Sequence, residues 1–268
     1  MAKVFVTVEE LKEKARFIDT RFSLTNAEEG QQLFAEGHIQ GAIYWDLNLD
    51  LSNMASKEGR HPMPSKEQLQ ALFERSGLRY EDVIYVYDQG GMPFAARAWY
   101  MLKYAGFPQV YIVNGGFAAL AEKLDVTAEH VNYSPTELQL QWQEQLYAGR
   151  ADVKAIVDGK EQATLLDARA ANRYRGEQEP LDPIAGHIPT AKNFDWEQIK
   201  QGASLVPNDD LLAKVEKNED IVVYCGSGVT ASPLFAVLTE AGYEHLRLYV
   251  GSYSDWITAY DVETGENK

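Results

Sequence analysis

The stretch IVVYCGSGVT, residues 221–230, sets four apolar or aromatic residues directly before a turn of small ones, with Cys225 at the junction. Such a run has the length and composition of a buried strand. The segment after it, SPLFAVLTEAG, has a helical pattern. Ser232 is the expected cap, Pro233 suits the first turn, and Leu234, Val237 and Leu238 share one face. Strand, glycine turn and helix in this order form one unit of a parallel α/β sheet. Cys225 is the single cysteine of 268 residues. An isolated thiol is commonly a small buried hydrophobe, so reading it as a nucleophile needs independent support.

That support comes from an internal repeat. FIDTRF (17–22), GHIQGAIYWD (37–46), VIYVYDQGG (83–91) and VYIVNGG (110–116) return in the same order as LLDARA (165–170), GHIPTAKNFD (186–195), IVVYCGSG (221–228) and LRLYVGS (246–252). Asp19 precedes Gly37 by 18 residues and Asp167 precedes Gly186 by 19, so the chain is a tandem duplication. Each copy alternates short apolar strands with helical segments such as PSKEQLQALFERSG (64–77). The fold class is therefore α/β, two tandem domains, each with a central, mostly parallel sheet flanked by helices on both faces. We divide the chain into a first domain, 1–123, a polar linker, 124–149, extended along that domain, and a second domain, 150–268.

Aligned, the repeats set Asp88 in the place of Cys225 and Gly91 in the place of Gly228. A carboxylate is a poor substitute in a buried niche, so this comparison predicts an open loop at both turns. Ligands of parallel sheets bind at the carboxyl ends of the strands, where Cys225 falls. A turn of small residues entering a helix also aims several backbone amides inward, forming an anion nest that favours a thiolate.

A net charge of −15 argues against nucleic acid and anionic membrane surfaces as partners. A small anionic substrate would need arginine and backbone amides gathered locally. One cysteine permits no intramolecular disulfide, which suits a reducing cytoplasm. His38, His61, His130, His187 and His245 show no metal-ligand spacing, so no metal or other cofactor is expected. The first twenty residues read as no signal peptide, and no stretch approaches the length of a membrane span.

The two GHI segments, the LLDAR strand, the loop CGSGVTA (225–231) and the closing GSYSDW (251–256) together resemble a tandem-domain rhodanese, of the sulfurtransferase family that includes thiosulfate and 3-mercaptopyruvate sulfurtransferases. The resemblance implies that Cys225 takes sulfur from a donor as a persulfide and passes it to cyanide or a thiol, a thioredoxin-like protein included. Gly226, Gly228, Val229 and Thr230 would contribute to the cradle through their amides. Ser227 matches the serine of the mercaptopyruvate branch, and Arg173 the arginine that holds the donor's carboxylate or sulfonate. Arg175 could assist, or lie on the surface. His61, in GRHPMP, matches a histidine that the mercaptopyruvate branch brings from the first domain as a proton relay, with Asp50 or Asn48 as its partner. Arg169, Asp167, His38 and His187 read as structural.

Against that branch, Leu181 stands about where its second anion-binding arginine would be, so 3-mercaptopyruvate is only slightly favoured over thiosulfate. A phosphatase of this fold would need an arginine where Ala231 stands. The alternative to an enzyme is a non-catalytic module that carries sulfur or binds protein.

Overall fold

The computed structural model describes residues 3–266. Two five-stranded sheets, parallel throughout, form its frame. In spatial order the first uses Phe5–Val6, Val110–Val113, Ile84–Tyr87, Arg16–Asp19 and Ile43–Tyr44, and the second Tyr147–Ala148, Leu246–Tyr249, Ile221–Tyr224, Thr164–Asp167 and Lys192–Asn193. Position by position the two orders coincide, as a duplication requires.

Both faces of each sheet are covered, which explains why the central strands are apolar throughout rather than alternating with polar residues. Ile84 and Val86 point into one large core while Tyr85 and Tyr87 point into another; in the twin, Ile221 and Val223 join that same large core, and Val222 and Tyr224 face outward to a third. The large core is therefore continuous across the domain boundary. The helices that follow the two central strands, Phe94–Tyr104 and Ala231–Glu240, meet there, with Trp99 and Tyr100 against Phe235. Burial on this scale makes the interface part of the folded core rather than a hinge.

The segment 124–149 runs along the first domain: Thr136 N–H donates to Glu74 O, and Gln141 N–H to the Tyr80 hydroxyl. It also supplies structure that its polar composition hides. Val126–Thr127 pairs antiparallel with His38–Ile39, and Tyr147–Ala148 becomes the edge strand of the second sheet. The first domain's helix Lys66–Arg75 starts at Ser65, whose hydroxyl accepts from Gln68 N–H. In the second, the expected cap is displaced by two residues. Thr230 is the N-cap of Ala231–Glu240, and Ser232 lies inside the first turn, donating to Gly228 O at 3.0 Å.

Candidate active site

Cys225 ends the central strand of the second sheet and is 1% exposed, while Asp88, its counterpart, is 3% exposed. The exposure expected at both positions is thus corrected to burial, although the loop after Cys225 lines a cleft. Asp88 tolerates burial because its own loop solvates it: Gly90 N–H donates to Oδ1 at 2.8 Å and Ala95 N–H to Oδ2 at 3.0 Å. Burial still pushes its pKa up to about 6 against those hydrogen bonds. In the loop after Cys225, Gly228 N–H donates to Sγ at 3.1 Å. Among the described residues, the N–H groups of Gly226, Ser227, Val229 and Thr230 have no protein acceptor. The nest is filled by a carboxylate in one domain and left open beside a thiol in the other.

Gly228 shapes this loop. Its φ is +74°, and an added Cβ would lie 2.2 Å from Val250 O, so no other residue fits. From the far side Ser252 accepts from Cys225 N–H at 3.1 Å and donates to Tyr249 O at 2.8 Å. Ser252 holds a φ of +56°, where its repeat counterpart Gly116 has +59°. A serine in that conformation costs on the order of 1 kcal/mol, offset here by the hydrogen bond that fixes the cysteine backbone.

A cleft of about 220 Å³ opens over the loop, lined among others by Asn48, Arg60, His61, Arg173, Leu181 and Ser227. Arg173 sits on the short helix Ala171–Tyr174, and Glu179 holds its Nη2 at 2.7 Å. Arg60 enters from the first domain and is held by Asp182 at 2.9 Å. Both guanidinium groups stand over Gly226: a Cβ there would meet Arg60 Nη2 at 2.6 Å and Arg173 Nη2 at 3.4 Å. Glycine lets the two guanidinium groups lie close against the backbone beside the cysteine. The sequence reading passed over Arg60, whose signal was its place beside His61; it brings a second arginine from the opposite direction to Leu181.

His61 Nδ1 and Ser227 Oγ share a hydrogen bond of 2.8 Å. Burial, assisted by the charges of Arg97 and Arg60, lowers the His61 pKa to about 4, so its ring is neutral at physiological pH. Asp50 does not join it. Its carboxylate accepts from Asp46 N–H at 2.8 Å and pairs with Arg75, which turns it into a different depression; Asn48 is the residue that reaches the cleft. Arg175 also stands apart, paired with exposed Glu177 and Glu266. Asp167 and Arg169 form a buried ion pair matched by Asp19 and Arg21, and His38 and His187 are buried against the carbonyls of Phe34 and Tyr174.

The rhodanese-like domain family matches residues 7–123 and again 150–259. The chain belongs to the rhodanese family. This tandem rhodanese is 38% identical over 252 residues to a Pseudomonas aeruginosa protein named as a probable 3-mercaptopyruvate sulfurtransferase, covering 90% of this chain and 88% of the other. A Mycobacterium tuberculosis protein, named provisionally as a thiosulfate sulfurtransferase, is 34% identical over 257 residues, 89% of this chain and 86% of that one. Among solved structures, the 3-mercaptopyruvate sulfurtransferase from Leishmania major matches with a TM-score of 0.83 at 25% identity, covering 96% of this rhodanese and 75% of that chain. In the rhodanese described here, no helix among the described residues is long and apolar enough to cross a membrane.

Proposed function

We propose that this rhodanese is a sulfurtransferase that takes sulfur from a small anionic donor onto Cys225 and hands it to a thiol. The observation that carries this reading is the open nest: a buried thiol beside amides without acceptors, beneath Arg60 and Arg173. The donor's anionic group is held by the free edges of the two guanidinium groups, while its outer sulfur points at Sγ.

With 3-mercaptopyruvate, the Cys225 thiolate attacks the donor sulfur, an S–S bond forms and the C–S bond breaks. Its electron pair leaves as the enolate of pyruvate, which takes up one proton. With thiosulfate the S–S bond of the donor breaks instead and sulfite leaves. In either case the acceptor thiolate then attacks the outer sulfur of the persulfide and frees Cys225. The nest amides stabilise the anionic sulfur in both half-reactions. Gly226, Gly228, Val229 and Thr230 contribute backbone there, and Ser227 donates its hydroxyl toward the bound donor, its rotor held by neutral His61.

We favour 3-mercaptopyruvate. The Ser227–His61 pair offers a polar, uncharged edge to a carbonyl-bearing donor, and Phe22, Leu24 and Leu181 give the cleft an apolar wall suited to its methylene. We also assign the work to a reducing cytoplasm, with a thioredoxin-like dithiol protein as an acceptor of the right chemistry. The test is mass spectrometry of the Cys225 peptide after each donor, followed by steady-state kinetics with both. The expected result is addition of one sulfur atom at Cys225, and loss of about 100-fold in kcat/KM in Arg173→Ala. Absence of the adduct with either donor overturns the reading.

A further inference from the structure

Among the described residues three arginines are almost wholly buried: Arg21 at 4%, Arg169 at 2% and Arg97 at 0% exposure. The first two pair with Asp19 and Asp167. Arg97 has no carboxylate among the described residues. Its Nε and Nη2 donate to Leu51 O at 3.3 and 3.0 Å, and Nη2 also donates to His61 O at 3.0 Å. Nη1, although buried, has no hydrogen-bond partner among the described residues. A full charge sealed in a core without a counter-charge is expensive, so a partner is to be sought nearby.

The place where Nη1 ends supplies one. It lies 2.9 Å from the point a Cβ on Gly228 would occupy, directly beside the residue whose N–H donates to Cys225 Sγ. Burial lowers the pKa of Arg97 to about 10, and a negative charge on Cys225 would oppose that fall. At that value the guanidinium stays charged at neutral pH. In the second repeat the aligned helix position is Leu234, so Arg97 has no mirror image beside Asp88, where a carboxylate already fills the nest.

We propose that Arg97, from the domain without a cysteine, is the buried counter-ion of the sulfur anion on Cys225, both as thiolate and as persulfide. The active site is then divided between the domains: one supplies nucleophile and amides, the other the charge beneath the loop. This rests on Cys225 being the nucleophile. The charged or titratable side chains facing the loop from the cleft are Arg60, His61 and Arg173, with Asp182 and Glu179 paired to the two arginines, and the test leaves all five in place.

The test is the rate of iodoacetamide alkylation of Cys225 against pH in the full chain, for wild type, Arg97→Gln, Arg97→Met and Arg97→Lys. Arg97→Gln removes the charge and keeps an N–H donor at about the place of Nε, which donates to Leu51 O; thermal unfolding shows which variants fold. The expected result is a profile displaced to higher pH by about one unit in the neutral variants, hence about tenfold slower labelling near neutral pH, with most of the rate kept in Arg97→Lys. A folded neutral variant whose profile superimposes on wild type overturns the proposal. Alkylation needs no sulfur donor, so wild type that labels as expected yet accepts sulfur from neither donor would reject sulfur transfer and leave the Arg97 assignment standing.

Discussion

The loop at Asp88 and the loop at Cys225 follow equivalent strands and are each covered by the opposite domain. Over Asp88 lies the tip of the hairpin Lys200–Gln201 and Ser204–Leu205: Gly115 N–H donates to Ala203 O, and a Cβ on Gly90 would meet Ala203 Cβ at 2.8 Å. Over Cys225 lies the corresponding segment of the first domain, where Gly59 approaches Gly251 O and Arg60 N–H donates to Ser254 Oγ at 3.0 Å. The two covers align as GRHPMPS (59–65) and GASLVPN (202–208), each ending on a helix cap, Ser65 and Asn208. One brings Arg60 and His61 to its loop, the other Gly202 and Ala203. The backbone is shared, and side chains decide whether a nest is a working site or a filled one.

The comparison is broken most directly by giving the catalytic loop the cover of its twin. Arg60→Ala with His61→Ser removes one of two anion-holding guanidinium groups and the support of Ser227. Donor kcat/KM is expected to fall by about 100-fold or more, measured with both donors; undiminished kinetics would place the donor elsewhere.

Stability gives the next largest effect. Gly228→Ala drives a Cβ against Val250 O and should cost about 3 kcal/mol or more, whereas Gly91→Ala, at a φ of +65° with its nearest atom at 3.0 Å, should cost about 1–2 kcal/mol. Denaturant unfolding of the two variants reads the difference, and equal losses would show that the loops are equally constrained.

A smaller effect comes with pH. His61 is lowered from its ordinary 6.5 to about 4, so the unfolded chain binds its proton first. The stability this neutral ring contributes is complete above about 6.5 and is lost as pH falls toward 4. His61→Gln should therefore show a shallower loss of stability across that interval. A wild-type imidazole resonance titrating near 6.5 would contradict the burial argument. The smallest expected effect is at the twin: Asp88→Cys should acquire no sulfur from either donor, because Ala203 and Gly202 pack closely against Gly90 and Gly91 in place of Arg60 and His61.

The duplication and the parallel α/β character of each half were legible in the chain because strands buried on both faces read as uninterrupted apolar runs, and Cys225 stood out as the candidate nucleophile because the other copy lacked the thiol. Ser252 was half legible, as a serine where the repeat has Gly116. Arg60 and Arg97 were not, since each acts across the domain boundary, and no spacing within one repeat reports which residues of the other lie against it. Asp50 failed for a local reason: the turn started by Asp46, whose carboxylate accepts from Asn48 and Leu49 N–H, leaves Asp50 facing Arg75.

By itself, then, the sequence determined two α/β domains of one ancestry and a cysteine at the mouth of a glycine turn, features set by local periodicity and by the backbone freedom of small residues. Tertiary structure alone decided that Cys225 and Asp88 are buried and that one nest is already filled. It also brought the cations around Cys225 from both domains, because long-range packing, unlike periodicity, sets which charges share a low-dielectric interior.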